Sequence, residues 1–249
     1  MQRILKQHLL KNKQMKINNF LSLILITILC FACKTEDVEP VTNNNNNNNS
    51  GTSILGCTDA TAVNYNAQAN SDDGCCKYFS LVLNEVLYDP PSGMNGDANQ
   101  DGVRDANEDE FIELVNVSNQ NLDISGYEFY DETNLAQGMP NHVVPPGTIL
   151  SANSAYVLFG GGSPPMNLWV NTIVHVASAA VLNLNNSSDT LTIKDEIGNT
   201  LIVFDVEALS NNPDESYSRI PDICGDFVQH NSLSNGLFSP GTKVDGTSF

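Results

Sequence analysis

Positive charge is scarce in this 249-residue sequence: 11 Lys and Arg stand against 29 Asp and Glu. Five of the eleven precede Cys33 and all 29 acids follow it, so the later part carries 6 − 29 = −23 formally. Direct binding to nucleic-acid phosphates needs a basic patch, and this balance speaks against it. Catalytic signatures are missing too. There is no HExxH pair, no GxSxG elbow, and GGGSPP at Gly160 lacks the lysine and helix of a phosphate loop. From Phe79 onward no stretch shows convincing helical periodicity. The longest apolar run, Phe20 to Ala32, falls short of the ~20 residues that span a bilayer.

That run, with five basic residues ahead of it, has the layout of a signal-peptide core. Met15 is an alternative start, because MKINNFLSLILITILCFAC makes a complete signal sequence alone. Ala32-Cys33 resembles the end of a bacterial lipoprotein signal, in which the cysteine is lipidated and becomes the mature N-terminus. Cys30 stands three residues before it, where that family prefers Leu or Val, and plain secretory cleavage is the competing reading. Lys34-Thr35-Glu36-Asp37 resembles the acidic tag that sends lipoproteins of Bacteroidetes-type bacteria to the outer face of the outer membrane. The expectation is a signal peptide over 1–32, then a lipidated Cys33 and an Asn-rich tether over 33–53, with membrane contact through the lipid alone.

The stretch DANQDGVRDANEDE, from Asp97, meets the calcium-loop pattern D-x-[DN]-x-[DN]-G-x5-E throughout. Asp97, Asn99 and Asp101 supply side-chain oxygens, Gly102 permits the sharp turn and Val103 offers its carbonyl. Asp105 gives a ligand or water bridge, and Glu108 a bidentate carboxylate. Ca2+ takes six to eight oxygens, and the absence of thiolate or imidazole disfavours zinc and copper. The flanks LVLNEVLYDPP and FIELVNV read as strands, and Arg104 occupies a position that is apolar in paired EF-hands. A solitary structural site between strands is expected over 97–108. From Tyr88 to Asp109 no regular pattern is visible, and so long a loop needs something to order it.

Four cysteines follow the leader: Cys57, Cys75, Cys76 and Cys224. In an exported chain an even count implies disulfides, and a strained Cys75–Cys76 bond is disfavoured, leaving two connectivities. GCTDATAVNYNAQANSDDGCCKY resembles a short module of secreted Bacteroidetes proteins, of form GCTDxxAxNYNxxAxxDDGSC. That resemblance implies a Cys57–Cys76 pair, hence Cys75–Cys224, in a small module over 54–78. Asp59, Asp72 and Asp73 read as turn-forming acids, with a second ion as the alternative.

From residue 79 to 249, seven alternating runs separated by turn residues predict an all-β, immunoglobulin-like sandwich: LVLNEVLY, FIELVNV, GYEFYD, AYVLFG, NTIVHVA, DTLTIKD and TLIVFDV. The ordered segments LNEVLYDP, EFIELVNVSNQNLDISGYEFYDE, PPGTILSANSAYVLF, NNSSDTLTIKDEIGNTLIVFDV, ESYSRIPDICGDF and FSPGT are similar to the lamin tail domain of bacterial secreted proteins. That resemblance implies an immunoglobulin-like fold in proteins that often accompany nucleases, phosphoesterases or surface anchors. Tyr127 replaces a common tryptophan, and Pro240-Gly241-Thr242-Lys243 a common PGxxN ending.

Glu85, Glu110 and Glu113 invite a catalytic reading. Strand alternation puts Glu110 and Glu113 on opposite faces, so Glu110 is expected to cap the calcium loop. His142, His175 and His230 are isolated in sequence and read as structural. The expectation is therefore a non-enzymatic, calcium-stabilised surface lipoprotein for adhesion or scaffolding, with an extracellular protein or glycan as ligand. A metal-dependent hydrolase or phosphodiesterase using the Asp97–Glu113 carboxylates is the rival. Carbohydrate binding through Trp169, Tyr127 or Tyr130 is a third possibility.

Overall fold

The alternating runs give strands whose apolar residues cannot all face one layer, and the chain resolves this by burying one sheet on both sides. The computed structural model describes residues 52–249, except 166, 168, 210–213 and 233–235. The signal segment, Cys33 and the tether up to residue 51 lie outside the described residues.

Among the described residues twelve strands appear: β1 (Leu81–Leu87), β2 (Phe111–Asn116), β3 (Leu122–Asp123), β4 (Glu128–Tyr130), β5 (His142–Val143), β6 (Ile149–Leu150), β7 (Ser154–Phe159), β8 (Thr172–Val176), β9 (Thr190–Lys194), β10 (Thr200–Asp205), β11 (Tyr217–Ile220) and β12 (Asp226–Gln229). One sheet runs β12-β11-β1-β2-β7-β8, a second β10-β9-β4-β5, and β3 pairs with β6. Every pairing is antiparallel except β7 with β8. The seven runs read from alternation form β1, β2, β4 and β7 to β10. A short α-helix, α1 (Glu132–Gln137), is set by an Asp131 cap accepting from Asn134 N and by Gly138 in the left-handed region.

The sandwich interior joins Leu83, Val86, Ile112, Leu114 and Leu158 of the larger sheet to Phe129, Leu191, Ile193 and Phe204 of the smaller. The larger sheet's other face carries Leu87, Phe111, Val157, Phe159 and Val174, covered by Ala98, Trp169 and Phe238 from irregular segments. Further along, Val115 and Ala155 are covered by Val63, Ile223 and Phe249. β2 and β7 are accordingly buried at every residue, as strands covered on both faces must be.

Residues 54–78 contribute to that cover. Cys57 bonds Cys76 and Cys75 bonds Cys224, with Cα separations of 4.9 and 5.5 Å. Asp59, Asp72 and Asp73 accept from the backbone N–H groups of Thr61, Gly74 and Cys75, so each closes a turn. The Cys75–Cys224 bond spans 149 residues, a loop for which the chain-entropy account gives about 4–5 kcal/mol. Cys224→Ser with Cys75→Ser is expected to lower the stability seen in urea unfolding by an amount of that order. An unchanged midpoint would show that the bond constrains little.

Candidate functional site

The loop from Asp97 to Glu108 leaves β1 and returns at β2, so adjacent paired strands fix its ends. Its side chains fold back onto its own amides. Asp97 Oδ2 accepts from Gly102 N (3.0 Å), Asn99 Oδ1 from Asp101 N (3.0 Å) and Asp101 Oδ1 from Val103 N (2.9 Å). Asp105 Oδ1 accepts from Asn107 N at 2.8 Å, which holds its carboxyl below the usual range. Gly102, at φ 90°, makes the turn that an L side chain resists. Arg104 donates through Nε to Pro91 O (2.8 Å) and through Nη2 to Pro90 O, fastening the outer turn to the chain leaving β1.

Asp109 was not among the expected ligands because the motif ends at Glu108, yet it is fully buried and clamps both halves of the loop. Its Oδ1 accepts from Asn99 N at 3.1 Å and its Oδ2 from Asp105 N at 2.8 Å. The loop rests on Gly160-Gly161-Gly162, which follows β7. A Cβ there would stand 1.8 Å from Asn107 O, 2.9 Å from Glu108 Cγ and 2.3 Å from Asn99 Nδ2 respectively. GGGSPP is thus the floor of the acidic loop, and Ser163 N donates to Asp101 Oδ2 at 2.9 Å.

Of the expected calcium donors, Asn99 is fully buried, while Asp97, Asp101, Asp105 and Glu108 are half-buried and Val103 is exposed. Asp97 Oδ1 is buried with no hydrogen-bond partner. Among the described residues no three His, Cys, Asp or Glu side chains gather as a metal-binding group. Asp97, Asp101 and Asp105 each turn one carboxylate oxygen toward a backbone N–H group of the loop.

Glu110 does not cap the loop as expected. Its Oε2 accepts from Leu184 N at 3.2 Å, and it lines a polar cavity of about 520 Å³ with Asp89, Arg104, Glu132 and Asp189. Asp189 accepts from Glu132 N and Asn185 N, each at 2.9 Å, so this cleft's acids hold its walls together.

Glu85 and Glu113 face one another across β1 and β2, both fully buried. Glu85 accepts from Ser216 Oγ (2.5 Å), Ser239 N (2.8 Å) and Ser239 Oγ (2.7 Å). Glu113 accepts from Asn84 Nδ2 (2.9 Å) and Gly241 N (2.6 Å). The pair therefore anchors the C-terminal segment instead of presenting open carboxyls. His230 Nδ1 lies 3.7 Å from Glu85 Oε1 but 2.9 Å from Ser218 Oγ. The 3.7 Å separation exceeds hydrogen-bond reach, so the hydroxyl contact is the hydrogen bond, and burial lowers the His230 pKa.

The histidines isolated in sequence meet in space. Tyr156 Oη lies 2.9 Å from His142 Nε2 and 3.2 Å from His175 Nδ1, and Ser178 Oγ lies 3.0 Å from His142 Nδ1. Burial drives His142 down to about 4, which keeps it neutral inside the sandwich. Trp169 is only 9% exposed and packs on Phe159 at 5.8 Å, which removes it from the proposed carbohydrate face. Tyr130 is buried as well.

The fold and these contacts define the class: an all-β, immunoglobulin-like domain whose prominent carboxylates are spent on packing and turns. Residues 78–207, just over half the chain, match the model of the lamin tail domain family. The chain belongs to the lamin tail domain family. A domain of this family is immunoglobulin-like and not typically catalytic, which suits a binding or scaffold role. No curated protein matches the chain.

Burial raises Glu85 to about 7 and Glu110 to about 9, and moves Glu113 the same way, from an ordinary 4.5. The folded chain then holds these protons more tightly than the unfolded one. Their stabilising contribution is complete below 4.5 and drains away as pH rises through 7 and 9. Unfolding free energy measured in urea is expected to fall from about pH 6 to about pH 9. Glu110→Gln, which keeps an acceptor for Leu184 N, should flatten the upper part of that fall. A wild-type profile rising over this range would contradict the assignment.

Proposed function

We propose that this chain is a surface-anchored, calcium-stabilised, non-enzymatic lipoprotein whose lamin tail domain serves adhesion or scaffolding, with an extracellular protein or glycan as its ligand. Asp97, Asn99, Asp101, Val103, Asp105 and Glu108 are the proposed calcium ligands. The carrying observation is the loop itself: the side chains at its first, third and fifth positions bond the amides that shape the turn, and Asp97 Oδ1 is buried without a partner. A buried carboxylate oxygen with no donor calls for an ion or water, and calcium takes oxygen donors of this type. The ion would stiffen an insertion already seated on the Gly160–Gly162 floor. The non-enzymatic part draws support from Glu85, Glu110 and Glu113, whose oxygens are occupied by backbone amides and side-chain donors.

The anchor belongs to the same proposal: a leader over 1–32, lipidation at Cys33, a tether over 33–53 and a disulfide-bonded module over 54–78 that joins the sandwich to the outer-membrane surface. It rests on the Ala32-Cys33 signal and the acidic residues that follow.

An exposed single-loop site of this kind is expected to bind at ~10⁻⁴ to 10⁻³ M. At a hundredfold excess over the dissociation constant, calcium would add about 2.7 kcal/mol, or roughly 5–10 °C in melting temperature. Asp101→Asn, which keeps one acceptor oxygen for Val103 N and gives up the one that Ser163 N reaches, should lose most of that increment. A wild-type melt indifferent to calcium would remove the site. For the anchor, a palmitate analogue should label wild type and spare Cys33→Ser; label on both, or on neither, would remove the lipidation.

A further inference from the structure

The most unusual surface lies away from the acidic loop, along the open end of the sandwich. β10 ends the smaller sheet, and among the described residues no strand pairs with its outer edge. Natural edge strands are usually blunted by charge, proline or a bulge. β10 has a register irregularity between Thr200 and Ile202, but beyond it the edge reads Leu-Ile-Val-Phe from Leu201 to Phe204. Val203 is 60% exposed and Leu201 is exposed with it.

Beside this edge runs a groove of about 420 Å³, walled by β1, β10, Phe227 and the Cys76–Phe79 segment. Phe79, the most exposed large apolar residue in the described chain, stands at its rim at 79%. The Cys75–Cys224 bond fastens that segment to the turn between β11 and β12, so the wall is covalently held. Phe204 and Phe227 meet edge to face at 5.0 Å and form the floor.

Charge decides what fits. In a chain with 29 acidic residues, none lines this groove, whereas Lys77 and Arg219 both do. Asp73 and Asp226 lie close enough to offset part of those two charges, yet neither enters the lining. A second copy of this chain is a poor occupant, because joining two bodies of net charge −18 costs repulsion that Lys77 and Arg219 alone do not offset.

We propose that the β10 edge and this groove are a docking site for an extended segment of another protein, which adds as a strand to β10. Its alternate side chains are apolar, and it carries a carboxylate opposite Lys77 and Arg219. Main-chain pairing supplies affinity in such an arrangement and the pockets beside the edge supply selectivity. The inference rests on the binding-domain reading but uses no part of the calcium loop.

The test uses the full chain and a ten-residue peptide with valine at alternate positions, threonine between them and one central Glu. Binding should slow amide exchange at Leu201–Phe204 and be equal in calcium and in chelator. Val203→Glu combined with Phe79→Ala, both at exposed positions, should weaken binding about tenfold or more without shifting the melt. Replacing the peptide's Glu with Gln should cost about three- to fivefold, and Lys77→Met, which leaves only Arg219, should shrink that difference. Unchanged exchange at β10, or binding indifferent to the double substitution, overturns the site. A dimer in sedimentation that Val203→Glu dissolves would assign the edge to a second copy and overturn the peptide. A failed calcium melt would leave this result standing, and failure here would leave the calcium response untouched.

Discussion

Everything on the outer side of the larger sheet depends on how two fully buried carboxyls, Glu85 and Glu113, are satisfied. They sit opposite one another on adjacent strands, in a layer otherwise made of Leu87, Phe111, Val157 and Phe159. Burial raises both pKa values, and the neighbouring Glu85 carboxyl pushes Glu113 further the same way. The remaining oxygen sites are filled by Asn84, Ser216, Ser239 and Gly241. Ser239 and Gly241 belong to a segment with no regular structure, and satisfying the glutamates is what gives that segment a fixed course. Its position then buries Trp169, which touches the backbone at Gly241 so closely that a Cβ there would stand 2.5 Å from Trp169 Cδ1.

The acidic loop follows the same logic one step further out. An insertion between β1 and β2 has no strand partner for its amides, so its own carboxylates and Asn99 supply acceptors. Asp109 closes it from below, and three glycines let it approach the end of β7. Oxygens placed to shape a turn are also oxygens placed near one another, and a divalent cation can exploit that arrangement without a new fold. Structural acid and proposed ligand are therefore one set of residues.

Much of this was legible in sequence, and what was not has a physical reason. Period-two alternation revealed β1, β2, β4 and β7 to β10 because their apolar residues repeat over five residues or more, or adjoin clear turns. β11 and β12 escaped: YSRI and DFVQ are short and mixed in polarity, yet β11 pairs with central β1 and lies beyond the residues matched to the family. α1 is six residues held by its caps, too short for a periodic stripe. The convergence of His142, His175 and Tyr156 was invisible because three separate elements bring them together. For Glu110, alternation assigned a face correctly but could not foretell that residues 183–184 would pass within reach.

Among the described residues both faces of the larger sheet are covered, so neither is open to a partner. The aromatic residues that suggested a binding face, Trp169 and Tyr130, are consumed by packing. Among the described residues the outer edge of β10 on the smaller sheet stays unpaired, next to a wall that the Cys75–Cys224 bond holds in place. A strand edge offers hydrogen bonds that water satisfies only transiently, and an adjoining apolar groove gives a strand something to bury. The same chain that crowds its carboxylates into turns and buried pairs thus keeps one apolar edge clear of them, and recognition by pairing is the chemistry that such an edge can perform.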